Sequence, residues 1–365
     1  MDFKLSLIQK LLECHGNNHT DNWDEFRFGK ETKLNSSRFI PKISCMLNRK
    51  GYTHFVQTKH LLHYTDSILK NFWKYLESTY DLLEDQKSKK VYVEVIAHKI
   101  LGYKKVKLES NNFQRLELIN EIKNYRDRKK SLKSNFKNEK LYLFKFRYNK
   151  HIISFYTRSP LNTFFLRQYH LDKKIIPEKG DIVIDCGACW GDTPLEFAST
   201  IGESGFVYTF EFIPRNIEII KINHDLNKSI SGRIKIVKNA VWSESNKDVY
   251  YVDQGPGSTV KFEKFDGYQG VCKSLSIDDL VEKENLLRVD FIKMDIEGAE
   301  PMALIGALNT IKRFKPKLAI SIYHNLSDYS QITIWLNNLQ LGYKFYVRHY
   351  TIHTEETVLY AVCDK

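Results

Sequence analysis

An acid and two glycines stand close together in the segment IDCGACWGDT, directly after a short apolar run. Gly187 allows a tight turn and Gly191 allows a close approach of the backbone, while Asp185 ends the apolar run. Dinucleotide sites use the spacing G-x-G-x-x-G, and a carboxylate at the Asp185 position repels a pyrophosphate. The same carboxylate suits a cationic ligand with an amino group. S-adenosylmethionine carries an α-amino group and a sulfonium but no phosphate, so the segment favours it over a dinucleotide.

The same turn contains two cysteines, Cys186 and Cys189, which allow three interpretations. After a strand, CGAC is similar to a thioredoxin-like redox pair at the start of a helix. A C-x-x-C pair is also half of a zinc site. No second pair is available among the other cysteines, which are Cys14, Cys45, Cys272 and Cys363. The interpretation that we prefer is that both cysteines are small residues lining a tight turn.

A second acid, Glu211, ends the run GFVYTFE and lies 26 positions after Asp185. An acid about 20 residues beyond a glycine turn suits a ribose diol, because both hydroxyls can donate to one carboxylate. The alternative is a first-turn acid stabilised by the dipole of the next helix. At this distance from the glycine turn, ribose binding is the favoured role, and Asn239 and Ala240 are expected beside the adenine. The predicted cofactor-binding residues are Asp185, Cys186, Gly187, Ala188, Gly191, Asp192, Glu211, Phe212, Asn239 and Ala240.

Methyl transfer from a sulfonium needs groups that hold the acceptor oxygen and help to remove its proton. The candidates follow two later apolar runs: Asp295 and Glu297 in MDIEGAE, and His324 in SIYH. His324 is the preferred base because its reference pKa lies near neutrality, and a histidine that caps a strand end is the alternative. Asp295 and Glu297 are expected to orient His324 or to bind the substrate hydroxyl, and Glu297 with Glu300 also suits the start of a helix at Pro301. A divalent metal held by Asp295, Glu297 and His324 is possible but not favoured.

All these residues stand where an apolar run ends, in a region where strands and helices alternate from residue 181 onward. The predicted strands are DIVIDCG, GFVYTFE, RIKIVKNAV, VDFIKMD, KLAISIYH, YKFYVRHYT and TEETVLYAVC. The predicted helices are LEFASTIG, PRNIEIIKINHDLN, SIDDLVEK, PMALIGALNTIKRF and SQITIWLNNLQ. This alternation predicts a doubly wound parallel sheet with helices on both faces, and the last two strands, too close for a crossover helix, must be antiparallel. The expected fold class is therefore α/β, a class I methyltransferase (Rossmann-like) sheet with a terminal antiparallel strand.

The segment 252–272, VDQGPGSTVKFEKFDGYQGVC, has no regular period and contains several glycines. A long loop above the ends of catalytic strands is typical of a substrate lid, and a simple surface loop is the alternative. Phe265 and Tyr268 are candidates for stacking on the face of a sugar.

The motifs DCGACWGDT, FEFIPRN, NAVWS, SLSIDDL and FIKMDIEGAE follow one another over roughly residues 160–365. In order and spacing they resemble the FkbM family of S-adenosylmethionine-dependent O-methyltransferases, and the D-I-E-G-A-E segment is the most specific of them. The resemblance implies the class I methyltransferase fold, methylation of hydroxyls on sugars, glycolipids or polyketides, and S-adenosylhomocysteine as the product. Family members commonly have Asn where this chain has Cys189.

Residues 1–150 lie outside the region of resemblance and differ from the rest in charge. They hold 31 Lys and Arg against 17 Asp and Glu, a net +14, whereas residues 151–365 hold 25 against 27, a net −2. Such asymmetry indicates two units with different roles. The positive charge indicates either an anionic partner or a solvated helix face in a lysine-rich chain.

Periodicity predicts the elements of this basic region. Helical spacing predicts helices over 60–85, 91–102 and 112–132, and alternation with period two predicts a hairpin over 140–149 and 151–157. We therefore expect a mainly helical region at 1–150, with an accessory, substrate-binding or oligomerisation role, followed by a methyltransferase domain at 151–365.

The composition excludes several classes of protein. The chain is 42% hydrophobic and 27% charged, and no run approaches the about 18 apolar residues of a membrane span. Lys10 and Glu13 interrupt the N-terminal apolar stretch, which makes it a poor signal peptide. Six cysteines in 365 residues do not form a disulfide framework, so a reducing cytoplasm is the expected location.

The sequence thus predicts an O-methyltransferase that acts on a hydroxyl of a sugar, a glycan or another small-molecule acceptor, which the basic region allows to be anionic. An RNA ribose or other nucleic-acid methyltransferase is the alternative. Base N-methyltransferases usually carry an Asn/Asp-Pro-Pro-aromatic run, and none of the eight prolines here is followed by another. Nucleic acid is therefore the less favoured substrate.

A third hypothesis is a methyltransferase-like domain that only binds its ligand, and the intact site residues count against it. The oligomeric state stays open, and a homo-oligomer is compatible with the sequence.

Overall fold

The computed structural model describes residues 2–24, 72–108, 113–134, 139–172, 174–255 and 258–364. Its helices are α1 (Phe3–His15), α2 (Trp73–Leu82), α3 (Gln86–Leu101), α4 (Phe113–Ile122), α5 (Asp192–Ile201), α6 (Pro214–Asp225), α7 (Lys228–Ser231), α8 (Ile277–Lys283), α9 (Glu300–Ile305), α10 (Leu308–Phe314) and α11 (Asp328–Asn338). Its strands are β1 (Arg126–Lys133), β2 (Lys140–Tyr148), β3 (His151–Thr157), β4 (Ile182–Cys186), β5 (Phe206–Phe210), β6 (Ile234–Val237), β7 (Ala240–Val241), β8 (Asp248–Val252), β9 (Thr259–Lys261), β10 (Gly270–Leu275), β11 (Phe291–Met294), β12 (Lys317–Ser321), β13 (Tyr343–His349) and β14 (Thr357–Cys363).

Seven strands form one sheet in the order β13-β14-β12-β11-β4-β5-β6. The five strands from β12 to β6 pair in parallel. β14 lies between β12 and β13 and follows β13 after only residues 350–356, which is too short for a crossover, so it runs antiparallel. Numbered along the chain, the seven strands stand in the order 3-2-1-4-5-7-6. The predicted α/β fold class is confirmed.

The central strands form because their residues are apolar on both faces, as expected for a parallel sheet covered by helices. The side chains of β4, β11 and β12 are buried, including Val183, Ile184, Phe291, Ile292, Leu318 and Ile320. Two buried residues of these strands are charged, Asp185 in β4 and Lys293 in the middle of β11.

Local signals set several helix ends. The Asp85 side chain accepts a hydrogen bond from the Ser88 N–H at 2.6 Å, and Gly102 ends the same helix with φ +82°. The predicted helix at 91–102 is therefore confirmed and starts earlier, at Gln86. Of the predicted helix at 60–85, residues 60–71 lie outside the described residues, and the remainder contains α2. Among the described residues, no helix is both long enough and apolar enough to cross a bilayer.

A three-stranded antiparallel sheet, β1-β2-β3, corrects one prediction. The hairpin of β2 and β3 is confirmed, with Tyr148 opposite His151. The predicted helix at 112–132 ends at Ile122, and the chain forms strand β1 from Arg126 onward. Pairing with β2 decides this, because tertiary hydrogen bonds override a weak helical pattern. The register jumps between Asp127 and Ser131, so residues 128–130 form a bulge.

A four-stranded sheet, β7-β10-β8-β9, corrects a second prediction. The segment 252–272 was expected to be irregular, but it contains β9 and the start of β10. The strands are short and carry lysines among their apolar residues, which hides their period of two. The predicted helix PMALIGALNTIKRF is likewise two helices, α9 and α10, separated at Gly306.

Contacts divide the chain into two compact units. The first contains Met1–Leu116 and Ile322–Leu359, and its interior gathers the aromatic rings of Phe3, Trp73, Tyr80 and Tyr92. The second contains Glu117–Ser321 and Tyr360–Cys363, which include both small sheets. These boundaries differ from the expected one at 150/151, because β1, β2 and β3 belong to the second unit. Separate roles for residues 1–150 and 151–365 stay a prediction.

Candidate active site

The turn between β4 and α5 approaches the turn after β11 closely. Gly187 has φ +92°, and a Cβ on this residue would lie 2.1 Å from the backbone oxygen of Asp295. Gly191 has φ +87°, and a Cβ there would lie 3.1 Å from Cγ1 of Ile220. The geometry therefore requires glycine at both positions, for a tight turn and for close backbone approach. The neighbour of Gly187 in this contact, Asp295, is also one of the catalytic candidates that the sequence predicts.

Cys189 has a left-handed backbone, with φ +48°. Asn adopts this conformation more readily than most residues, which explains why Asn suits this position in the FkbM pattern. Burial raises the pKa of both Cys186 and Cys189 above the usual thiol value. A redox pair depends on an accessible thiolate, and the described cysteines are all free. The structure supports the interpretation that Cys186 and Cys189 are small residues lining the turn.

Asp185 is fully buried and its two oxygens are bonded inside the protein. Oδ2 accepts hydrogen bonds from the hydroxyls of Thr193 (2.9 Å) and Thr209 (2.6 Å). Oδ1 lies 3.1 Å from Nζ of Lys293, which in turn donates to the backbone oxygen of Gly187 at 2.6 Å. Asp185 therefore holds Lys293, and Lys293 in turn bonds the backbone of the glycine turn.

Glu211 follows β5 and lines a cavity. Its Oε1 accepts a hydrogen bond from the Ile213 N–H at 2.8 Å, and the carboxyl also bonds the backbone of Cys189 and Phe212 and the side chain of Asn216. Burial raises the pKa of Glu211 from 4.5 to about 7, because the loss of hydration outweighs these hydrogen bonds. The group therefore changes charge near neutral pH.

The cavity lies at the carboxyl ends of β4, β5, β6 and β11, entirely within the second unit. Five of the ten predicted cofactor residues line it, and these are Gly187, Glu211, Phe212, Asn239 and Ala240. The other five are not among the lining residues that the structure describes, and these are Asp185, Cys186, Ala188, Gly191 and Asp192. Five of the predicted residues thus share one cavity, and their role in binding a cofactor stays a prediction.

An aromatic pair, Trp242 and Phe262, forms part of the cavity wall, with ring centroids 4.3 Å apart. Phe262 belongs to the segment 252–272, so this segment contributes to the site. The stacking candidates Phe265 and Tyr268 are not among the described lining residues. The Tyr268 ring instead packs at 5.2 Å, edge to face, on another aromatic ring of the small sheet.

The turn after β11 brings Asp295 and Glu297 to the cavity wall. Glu297 has φ +59°, so the D-I-E-G segment makes a tight left-handed turn that exposes this carboxylate. The Tyr169 hydroxyl donates to Oδ2 of Asp295 at 2.7 Å. Glu300 is fully buried and accepts a hydrogen bond from the Ile296 N–H at 2.8 Å, so it holds the turn from inside.

His324 lies three residues beyond β12 and belongs to the first unit, with its ring 4.2 Å from that of Tyr323. Its assignment as the base stays a prediction. Asp295 and Glu297 offer the oxygen ligands that Mg²⁺ and Mn²⁺ prefer, and a metal at the catalytic residues likewise stays an alternative.

Sequence reasoning misses two residues of this site, Lys293 and Tyr169. For Lys293 a signal exists, because FIKM contains one charged residue in an otherwise apolar strand. For Tyr169 no motif is available, and only the tertiary structure brings its hydroxyl to Asp295.

The strand order 3-2-1-4-5-7-6, with the cavity at the carboxyl ends of the parallel strands, defines the class I methyltransferase fold. Comparison with protein families agrees with this fold: residues 185–345 match the methyltransferase FkbM domain. The resemblance read from the motifs is confirmed. No curated protein matches the chain.

One solved structure gives the same fold, and two others are less similar. The methyltransferase FkbM from Methylobacillus flagellatus KT has a TM-score of 0.51 and 19% identity, over 81% of this chain and 60% of that protein. Fibrillarin of Aeropyrum pernix, solved with S-adenosyl-L-methionine, has a TM-score of 0.36 and 14% identity, over 64% and 98% of the two chains. An O-methyltransferase from Bacillus cereus has a TM-score of 0.32 and 13% identity, over 50% and 74%. The present chain thus spans 60% of the length of the Methylobacillus protein.

Proposed function

We propose that the protein transfers a methyl group from S-adenosylmethionine to a hydroxyl of a sugar, a glycan or another small-molecule acceptor. The observation that carries this proposal is that one cavity is lined both by the buried Glu211 carboxyl, which follows β5, and by Asp295 and Glu297, which follow β11. The family match gives the class of reaction. The two sets of carboxylates provide separate places for the cofactor and for the acceptor.

The residues at the β5 side of the cavity fit S-adenosylmethionine. The Glu211 carboxylate accepts hydrogen bonds from the two ribose hydroxyls. Asn239 and Ala240 border the adenine, and Trp242 supplies an apolar surface beside them. The backbone of Gly187, which carries no side chain, leaves space for the methionine part. When bound, S-adenosylmethionine would supply a methyl group on a cationic sulfur; the carbon–sulfur electron pair would stay on sulfur to give S-adenosylhomocysteine, and the acceptor hydroxyl would lose its proton to a base, the role predicted for His324.

Asp295 orients the acceptor in this proposal. Its carboxylate is fixed by the Tyr169 hydroxyl and accepts a hydrogen bond from the acceptor hydroxyl, which directs an oxygen lone pair toward the methyl group. Glu297, on the same turn, binds a second hydroxyl. A pair of carboxylates on the cavity wall suits an acceptor with several hydroxyl groups, which supports a sugar.

The free state of the described cysteines supports a reducing, cytoplasmic location.

The test uses the full chain, S-adenosylmethionine with a labelled methyl group, and three separate acceptor pools: a glycan extract, a small-molecule extract and total RNA. We expect label in the glycan or small-molecule pool, with mass spectrometry showing one added methyl group. Asp295→Asn should lower the transfer rate about 10²–10⁴-fold while binding S-adenosylmethionine normally. Label in RNA alone would overturn the acceptor class, and absence of S-adenosylmethionine binding in calorimetry would overturn the whole proposal.

A further inference from the structure

Lys293 is a fully buried lysine in the central strand of a parallel sheet, with 1% of its surface exposed. A buried ammonium is costly unless each of its protons has a partner. Here three oxygens surround Nζ: the Gly187 backbone oxygen at 2.6 Å, Oδ1 of Asp185 at 3.1 Å and the Cys186 backbone oxygen at 3.2 Å. Two of the three belong to the backbone of the glycine turn.

The same ammonium is linked to the acceptor side of the cavity. The ring of Tyr169 lies over it, with the centroid 5.1 Å from Nζ, and the hydroxyl of this tyrosine donates to Asp295 at 2.7 Å. The carboxylates of Asp185, Asp192 and Asp295 act together to raise the pKa of Lys293 although burial alone lowers it. The group is therefore a fixed cation at neutral pH and does not accept protons.

We propose that Lys293 is a positioning residue, whose ammonium sets the conformation of the cofactor turn by binding the backbone oxygens of Cys186 and Gly187. This inference rests on the proposed function, since it concerns the same site. Gly187 lines the cavity and has a left-handed backbone, and its carbonyl oxygen accepts the hydrogen bond from Lys293. Without that donor, the Gly187 carbonyl loses this hydrogen bond and the turn relaxes.

The alternative is that Lys293 only stabilises the fold. Buried ion pairs contribute little net stability compared with apolar residues of similar size, so a stabilising role alone does not account for a lysine in this strand. The same unit offers a matched comparison, the buried carboxylate Glu196. It bonds His170 at 3.0 Å and Tyr148 at 2.6 Å, and these partners lie outside the glycine turn and the cavity lining.

The experiment measures the affinity for S-adenosylhomocysteine by calorimetry, together with thermal unfolding, on the full chain. Asp185→Asn keeps the ammonium and an acceptor for the threonine hydroxyls. The double variant Asp185→Asn with Lys293→Met removes the ion pair without leaving a lone charge. We expect the double variant to bind at least about tenfold more weakly than Asp185→Asn alone. Glu196→Gln should lower the unfolding temperature and leave the affinity unchanged.

Equal affinity of the double variant and the wild type would overturn the proposal and leave Lys293 a structural role. An affinity as low in Asp185→Asn as in the double variant would overturn it too, because the loss of Lys293 would then add nothing. If the Met variant does not unfold cooperatively, Lys293→Leu in the Asp185→Asn background replaces it in the same comparison with Asp185→Asn. Failure of the wild type to bind S-adenosylhomocysteine or S-adenosylmethionine would instead refute the proposed function.

Discussion

At the scale of single residues, Glu211 is expected to give the proposed cofactor site a dependence on pH. Its pKa is raised to about 7, and in the proposed site the ionised carboxylate is the form that accepts hydrogen bonds from both ribose hydroxyls. We expect the affinity for S-adenosylmethionine, measured by calorimetry, to increase as the pH rises from about 6 to about 8. Glu211→Gln should bind about 1.5–3 kcal/mol more weakly and show no such dependence. A wild-type affinity that is constant over this range would contradict the prediction.

The same pKa shift acts on stability with the opposite sign. Because the pKa of Glu211 in the folded chain lies above its ordinary value of 4.5, the folded state binds more protons between pH 4.5 and about 7. The contribution of this group to the free energy of unfolding is therefore present at low pH and is lost as the pH rises through about 7. Binding and stability thus respond to pH in opposite directions, and Glu211→Gln should remove both slopes.

Gly187 is the second residue whose exchange gives a clear result. A methyl group on it would lie 2.1 Å from the Asp295 backbone oxygen, so Gly187→Ala must displace one of the two turns. We expect it to destabilise the protein by more than about 3 kcal/mol and to abolish cofactor binding. Gly267→Ala is the control, because Gly267 also has a positive φ but open space around it. This control should cost only about 1–2 kcal/mol, measured by chemical unfolding.

His324 is predicted from the sequence to be the base. His324→Ala should leave the affinity for S-adenosylmethionine near that of the wild type and lower turnover about 10²–10⁴-fold, the usual contribution of a positioned acid–base group. Turnover is measured with the acceptor that the labelling screen identifies. Activity that persists in the variant but disappears with a chelator would indicate a metal-activated hydroxyl. Activity that neither treatment changes would show that His324 is structural.

At the scale of elements, strand β1 carries the densest positive charge. Its register with β2 leaves residues 128–130 in a bulge, and Lys129, Lys130 and Lys133 are exposed. A charged, bulged edge strand resists pairing with other chains, and the same charges also attract an anionic acceptor. Both roles, protection of the strand edge and attraction of an anionic acceptor, can therefore be tested by mutating these lysines.

We predict that reversing Lys129, Lys130 and Lys133 to Glu raises the KM for the acceptor and leaves the KM for S-adenosylmethionine unchanged. Added salt should have the same effect on the wild type, because the Debye length falls from about 10 Å at 0.1 M to about 3 Å at 1 M. The control reverses three exposed lysines of the first unit, which are Lys4, Lys74 and Lys87. A KM that neither salt nor the β1 reversals change would show that the lysines are only a solvated face. A similar change in the control would assign the effect to net charge.

At the scale of the whole molecule, the positive charge of residues 1–150 is divided between the two compact units. Residues 1–116 hold 20 Lys and Arg against 13 Asp and Glu, and residues 117–150 hold 11 against 4. Each set therefore has a net charge of +7, and the second set belongs to the unit that contains the cavity. The basic region is thus shared between both units, and its densest part lies in the unit with the methyltransferase motifs.

The sequence by itself determined the alternation of strands and helices, the antiparallel last strand, the glycine turn, Glu211 and the D-I-E-G-A-E turn. These features follow from periodicity and from short motifs, which are local properties of the chain. Only the tertiary structure decided that residues 126–133 form a strand, because a partner distant in sequence supplies their hydrogen bonds. It also decided that Asp185 bonds Lys293 and that Tyr169 bonds Asp295. Both contacts join residues more than 100 positions apart, and no local pattern encodes which side chains meet when a sheet assembles.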